Sequence, residues 1–278
     1  WNSSNQQLAI TEEDRVRVVD GTSQAIPSWW GLGDIAEIRW SPDSSQILST
    51  CFSGSVSVWV PGREKRVTGF VNGSGTAAHS GCWSPDGNRV AIATTDIVIW
   101  NVAERKELRR LDGHKGEVFS VDWSPDGKFL ASCDGDGTVR LWNMDSGNEE
   151  ASVALPKGAV DYWHIDVRWS PDPAAQRLAV SHGGQVYILD AKSLATIQTL
   201  ECPEASMVVS LAWDHDGSRI AFCTASGFIR IVDRESGAIL LDFHAHEHHA
   251  DGLDWNPDGS RLASCGADRM IRVWDPRS

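Results

Sequence analysis

An all-β chain built from a repeated four-stranded unit is the fold class the sequence predicts, on three observations. The first is a tryptophan anchor that recurs at Trp40, Trp83, Trp123, Trp169, Trp213 and Trp255, with Trp1 in the same frame, at spacings of 39 to 46 residues. The second is turn chemistry directly after the anchors, Ser-Pro-Asp in four copies and Asp-His-Asp-Gly or Asn-Pro-Asp-Gly in two. Pro fixes φ there, Asp accepts from backbone donors and Gly tolerates positive φ. The third is apolar alternation of period two on either side of those turns, with no sustained helical periodicity. The chain holds 14 Trp against 2 Tyr and 7 Phe, and a side chain so demanding to pack recurs only for a structural reason.

Each copy reads in the same order. A strand runs into the anchor, as in Val118-Phe119-Ser120-Val121-Asp122-Trp123, and the Ser-Pro-Asp-Gly turn follows. A second strand comes next (129–133 in that copy), then a short polar loop. The third strand closes on Asp or Asn: 139–143, 229–233, 271–275, and 16–20 in the opening copy. A weaker fourth strand, such as 106–111, leads to the next anchor. Four strands in each repeat of about 40 residues are the signature of a propeller blade, whose radial closure shields sheet edges.

Charge and composition narrow the function. A net charge of −13 opposes general nucleic-acid binding, because phosphates are repelled before any base is read. No run approaches the length of about 18 apolar residues that a spanning helix needs, so no membrane role is expected. Cys51, Cys133, Cys223 and Cys265 recur at related places ten or eleven residues after their anchors, and no Cys-x-x-Cys pair exists. Reduced, buried thiols in a cytoplasmic or otherwise reducing compartment follow.

On these residues the sequence resembles the WD-repeat family. Trp274-Asp275 keeps the strict dipeptide, Trp142-Asn143 and Trp100-Asn101 are close variants, and Gly113-His114 keeps the glycine–histidine pair. The resemblance implies a seven-bladed β-propeller of four-stranded antiparallel blades over residues 1–278, a single domain with incomplete first and last blades. Trp1 stands where the first strand of its blade should be ending, and the sequence runs only just past the third strand of the last. A segment of a longer polypeptide or complex is therefore expected.

The family also implies a structural hydrogen-bond network. Relative to Trp123 its members are His114, Ser132, Asp136 and Trp142; the same offsets from Trp255 give His246, Ser264, Asp268 and Trp274. Asp meets imidazole, imidazole meets the hydroxyl, and the hydroxyl takes the indole N–H, so each buried polar group finds a partner. Ser, His and Asp together could suggest nucleophilic catalysis, but the trio repeats in a second blade, and repetition points to architecture. Neither a G-x-S-x-G elbow nor a phosphate-binding loop accompanies it. His244, His246, His248 and His249 could chelate zinc or nickel. His246 belongs to the network, however, and the rest suit an exposed loop. No catalytic residue, metal or cofactor is expected.

Without catalysis, the rims and funnel remain for binding. Family partners dock on the narrow face, lined by residues six and four before each anchor and by the residue preceding the loop Asp. Carried over, these positions bring Phe52, Phe119, Trp163 and Met207 together with Glu117 and Asp251 as partner-binding residues, with Ile165 and Val209 either there or in the core. Trp29 and Trp30 form a second exposed candidate. The expected function is a non-enzymatic scaffold or adaptor for a protein or peptide, with a basic one favoured by the acidic rim. The alternative is a small-ligand sensor or propeller enzyme using the central channel, where His79, His182 and His249 are the candidate residues.

Overall fold

The structure, a computed structural model, describes residues 1–4, 7–12, 15–20, 29–30, 34–62, 68–71, 75–156, 164–202 and 206–277. All regular elements among them are strands. Gln7–Glu12 (β1), Arg15–Asp20 (β2) and Trp29–Trp30 (β3) form a three-stranded sheet. The next sheet holds Ile35–Trp40 (β4), Ile47–Cys51 (β5), Ser55–Trp59 (β6) and Thr68–Val71 (β7). Ser80–Trp83 (β8), Arg89–Ala93 (β9), Ile97–Asn101 (β10) and Lys106–Leu111 (β11) follow. Then come Val118–Trp123 (β12), Phe129–Asp134 (β13), Thr138–Asn143 (β14) and Glu149–Ala154 (β15). Val167–Trp169 (β16), Arg177–His182 (β17), Gln185–Asp190 (β18) and Thr196–Glu201 (β19) make the fifth sheet. Val208–Trp213 (β20), Arg219–Thr224 (β21), Phe228–Asp233 (β22) and Ile239–His244 (β23) make the sixth. Ala250–Trp255 (β24), Leu262–Gly266 (β25) and Ile271–Trp274 (β26) end the chain as a three-stranded sheet. Consecutive strands pair antiparallel within each sheet; between β12 and β13, for example, Val121 stands opposite Ser132.

The blade count differs from the sequence expectation of seven. Among the described residues six blades present an inner strand to the channel, namely β4, β8, β12, β16, β20 and β24. Among the described residues the sheet β1–β2–β3 pairs with no further strand, and its Val16 and Val18 pack with Ile47 and Trp59 of the second sheet. An anchor marks the turn after an inner strand, not the strand itself. Seven anchors therefore accompany six inner strands.

The turn after each anchor is held by the side chain that follows the Trp. Ser124 Oγ donates to Asp126 (2.7 Å) and accepts from Phe129 N (2.9 Å), while Gly127 takes φ +71. Asp214 and Asn256 replace this Ser later in the chain and accept from Arg219 N (3.0 Å) and Arg261 N (2.8 Å) in the same way. Cores lie between blades, so second strands such as β5 are buried on both faces. Ala131, Cys133, Val139 and Leu141 of one blade pack on Ile165, Val167, Leu178 and Val180 of the next. The anchors also cross blade boundaries: Trp83 Nε1 donates to the Arg39 carbonyl (3.2 Å) and Trp213 Nε1 to that of Arg168 (3.1 Å). Arg89 lies over Trp123 at 4.7 Å and Arg219 over Trp255 at 4.5 Å, each Arg six residues after its own anchor.

Candidate functional site

The rim is shaped by β-bulges. Ladder register slips at Ile35/Glu37, Val118/Ser120, Val208/Ser210 and Ala250/Gly252, so Ala36, Phe119, Val209 and Asp251 are the extra residues. Each stands four positions before its anchor. A bulge re-aims its side chain out of strand alternation, and for Phe119 that direction is toward the rim. His79 occupies the same rank ahead of β8, and Phe52 lies in the turn between β5 and β6, its N–H bonded to the Asp34 carbonyl at 2.9 Å.

Three rings meet there. Phe52 and His79 stand edge-on with centroids 5.8 Å apart, and His79 and Phe119 are tilted at 4.5 Å. Glu117 Oε2 lies 3.1 Å from His79 Nε2. Phe52 is 53% exposed. The Phe119 ring rests on Gly135, where a Cβ would come within 3.0 Å of it. His79 is the member that the sequence alone left in the funnel without partners; it is the bridge of the arc. Its rank before the anchor carried the signal, but the stacking joins three separate sheets.

The other expected rim residues divide. Met207 packs partly buried on the cluster between β20–β23 and β24–β26, away from the aromatic arc. Ile165 and Val209 are core side chains. Asp251 stands at the rim, where partial burial pushes its carboxyl above the usual range and His249, His246 and His164 pull it back. Trp163 lies outside the described residues, as do the side chains of Trp29 and Trp30. His182 is buried against Gly137, and that burial lowers its pKa.

In the network before β12–β15, His114 Nε2 lies 2.7 Å from Ser132 Oγ, which accepts from Trp142 Nε1 at 2.8 Å. The carboxylate is Asp134, 3.0 Å from His114 Nδ1, and not Asp136, which is exposed. Asp134 ends β13 and its other oxygen caps the turn, accepting from Asp136 N (3.2 Å) and Thr138 N (2.9 Å). Burial opposes its charge, but the His114 bond and these amides hold its pKa below the usual value. In the last sheet the equivalent of Asp134 is Gly266, a Cβ on which would meet the His246 ring at 2.7 Å. Asp268 therefore reaches in from the loop, 2.9 Å from His246 Nδ1, while His246 Nε2 lies 2.8 Å from Ser264 Oγ and Trp274 Nε1 donates to that oxygen at 2.9 Å.

The channel holds a set that sequence reasoning missed. Residues one and three before each anchor point inward, bringing together Glu37, Arg39, Asp122, Asp166 and Arg168. Glu37 Oε1 accepts from Arg39 Nε (2.8 Å) and Arg168 Nη2 (3.1 Å), and Arg168 Nη1 lies 2.6 Å from Asp166. Inner strands do not pair with one another, so their amides find side chains of the preceding blade. Gly81 N donates to Glu37 (3.1 Å), Val167 N to Ser120 (3.2 Å), Leu211 N to Asp166 (3.2 Å) and Trp169 N to Asp122 (2.7 Å). Burial works against the charge on Glu37, but Arg39 and Arg168 hold its pKa down at about 2. Burial raises that of Asp122. These ionisable groups are engaged with one another and with the backbone. That arrangement is a joint between blades.

The WD domain, G-beta repeat family model matches residues 31–60, 105–143, 194–233 and 237–275, more than half of the chain. The chain belongs to the WD-repeat family. This WD-repeat chain is 32% identical over 148 residues to WD repeat-containing protein SL1-17 of Schistosoma mansoni, covering 52% of this chain and 47% of that one. It is 30% identical over 151 residues to the p21-activated protein kinase-interacting protein 1-like of Gallus gallus, covering 54% and 38%. The chain thus spans less than half the length of these relatives. The β-propeller domain of Myceliophteria thermophila Cps50 (Swd1) superposes with a TM-score of 0.86 over 99% of this chain and 94% of that one, at 17% identity, a likeness of fold alone. Among the described residues no helix is long and apolar enough to cross a membrane.

Proposed function

We propose that this WD-repeat chain is a non-catalytic recognition module that holds a protein or peptide on the narrow face, at the rim of Phe52, His79 and Phe119. The observation that carries this reading is the aromatic arc itself: three rings from three sheets, in contact and open at Phe52, with the Glu117 carboxylate beside them. Aromatic anchors supply most of the free energy in small interfaces. Glu117 and Asp251 favour a basic segment, and the net charge of −13 steers one toward the face. The name of one relative, p21-activated protein kinase-interacting protein 1-like, speaks of an interaction with a protein. The Ser–His–Asp trios are engaged with Trp142 and Trp274 in two places, which suits architecture better than chemistry. All six cysteines are free thiols, which suits a reducing compartment such as the cytoplasm.

The test is a peptide array in which Lys- and Arg-containing, neutral and acidic peptides are probed with the wild-type chain, Phe52→Ala and Phe119→Ala. The reading expects basic peptides to be retained by the wild type and lost by both variants. Equal retention by all three proteins would refute it.

A further inference from the structure

Among the described residues each four-stranded sheet ends in an outer strand that pairs on one side only. Charged side chains are the usual protection of such an edge against other chains. β11 carries Lys106, Glu107, Arg109 and Arg110, and β15 opens on Glu149 and Glu150. β23 lacks that protection. Its run Ile-Leu-Leu-Asp-Phe-His holds one carboxylate, Asp242, which is bound to buried Arg230 at 2.6 Å.

A β-bulge near the start of these outer strands sets one residue outside the ladder: Leu108 in β11, Glu150 in β15, Ile197 in β19 and Leu240 in β23. Leu240 is 48% exposed and its neighbour Ile239 53%, while Ile197 of the preceding blade is 49% exposed. The turn before β23 leans on that blade, for a Cβ on Gly237 would come within 3.3 Å of Leu200. Leu241 and Phe243 point the other way, into the cluster shared with the last sheet. One face of β23 is thus anchored and the other is bare.

The backbone of this edge is open as well. Ala245 N donates to the Gly227 carbonyl at 2.8 Å, and along an antiparallel ladder inward and outward amides alternate. The N–H and C=O groups of Asp242 and His244 therefore face away from β22. Exposed carboxylates frame them, Glu235 before the strand and Glu247 after it. The guanidiniums nearby are already held, Arg230 by Asp242 and Arg234 by Asp172 at 3.1 Å and Glu235 at 2.8 Å. Two copies of a chain at −13 repel one another, whereas a segment with Lys or Arg is drawn to this edge.

We propose that the outer edge of β23 takes up an extended basic and apolar segment of another protein as a fifth strand of its blade. The segment runs antiparallel to β23, and its backbone bonds to the outward groups of Asp242 and His244. On one face it carries an apolar residue that rests on Leu240 and Ile239. Lys or Arg two positions to either side meets Asp242 and the framing carboxylates.

The test uses a fluorescein-labelled hexapeptide of that pattern, Thr-Lys-Val-Ile-Val-Lys, titrated by anisotropy into the Phe52→Ala chain, so that the rim takes no part. Saturable one-to-one binding is expected. Leu240→Lys, on an exposed side chain, weakens it by about tenfold or more. Leu108→Lys adds the same charge at the matching bulge of β11 and leaves it unchanged. A fully N-methylated peptide, which keeps the side chains and loses the backbone donors, does not bind. Circular dichroism checks that the variants stay folded. No saturation at millimolar peptide would overturn the proposal, as would equal weakening by Leu108→Lys or undiminished binding to folded Leu240→Lys. Equal binding of the N-methylated peptide would replace strand addition with a mere apolar contact. A chain that sediments as a dimer and becomes a monomer on Leu240→Lys would make a second copy the occupant and overturn it too.

Discussion

Replacing Glu37 by Gln keeps the shape of a half-buried channel side chain and removes only its charge. The wild-type carboxylate holds Arg39 at 2.8 Å and Arg168 at 3.1 Å, and accepts from the amide of the next blade at 3.1 Å. Gln can still accept from Gly81 N, so the difference reads the ion pairing. A fall in pKa from 4.5 to about 2, at 1.36 kcal/mol per unit, sets the loss near neutral pH at about 3 kcal/mol. Breaking a buried pair costs a similar amount, and Arg168 retains Asp166 at 2.6 Å, which keeps the figure at the lower end. For a chain of this size about 3 kcal/mol lowers Tm by roughly 6 °C. The pH dependence gives a second reading. The folded pKa lies below the unfolded one, so the wild-type advantage is complete above about 4.5 and fades as pH falls toward about 2. Paired urea titrations of wild type and Glu37→Gln across pH 7 to 2.5 would measure both. A gap below about 1 kcal/mol at pH 7, or one that does not shrink on acidification, would refute the pairing account.

Further outcomes follow from the same geometry. Asp134→Asn should cost about 1–3 kcal/mol in thermal or urea unfolding, because it weakens the hold on buried His114 and on two turn amides, whereas Asp136→Asn should stay within about 0.5 kcal/mol. With its folded pKa lowered, the Asp134 contribution is present above the usual carboxylate range and is lost as pH falls below it, so the Asp134→Asn gap should close in acid. Arg89→Ala removes the guanidinium 4.7 Å above Trp123 and should cost about 0.5–1 kcal/mol by denaturant titration, with an Arg89→Lys variant in between. Gly227→Ala should destabilise by about 2 kcal/mol or more, because φ is +85 and a Cβ would run into the His246 carbonyl; expression yield and Tm report it.

Much of the fold was legible because each structural need recurs in sequence. The Trp anchors, the Ser or Asp or Asn after them, and the alternation around them each serve one local requirement that every blade repeats. The blade count was not legible from anchors, since an anchor records the turn that follows an inner strand and not the strand itself. The offset of thirteen residues that names Asp136 after Trp123 holds only where it is carried to Trp255 and reaches Asp268. In the last sheet Gly266 leaves that task to the loop, while in β13 the carboxylate of Asp134 already sits beside the imidazole. The rim was half legible: the rank of His79, Phe119 and Asp251 could be read, but contact between Phe52, His79 and Phe119 depends on three sheets meeting. The channel joint was legible in principle. Glu37, Ser120 and Asp166 stand three residues before their anchors, and each accepts from the amide two residues before the next anchor, a rule that appears only once blades are placed side by side.

The most direct measurement is hydrogen exchange by mass spectrometry on the chain alone and saturated with the best-retained peptide from the array. Docking at the aromatic rim predicts added protection in residues 51–54, 78–80 and 116–119, and none of it in Phe119→Ala. Protection confined to the segment around 239–244, or undiminished in Phe119→Ala, would contradict it.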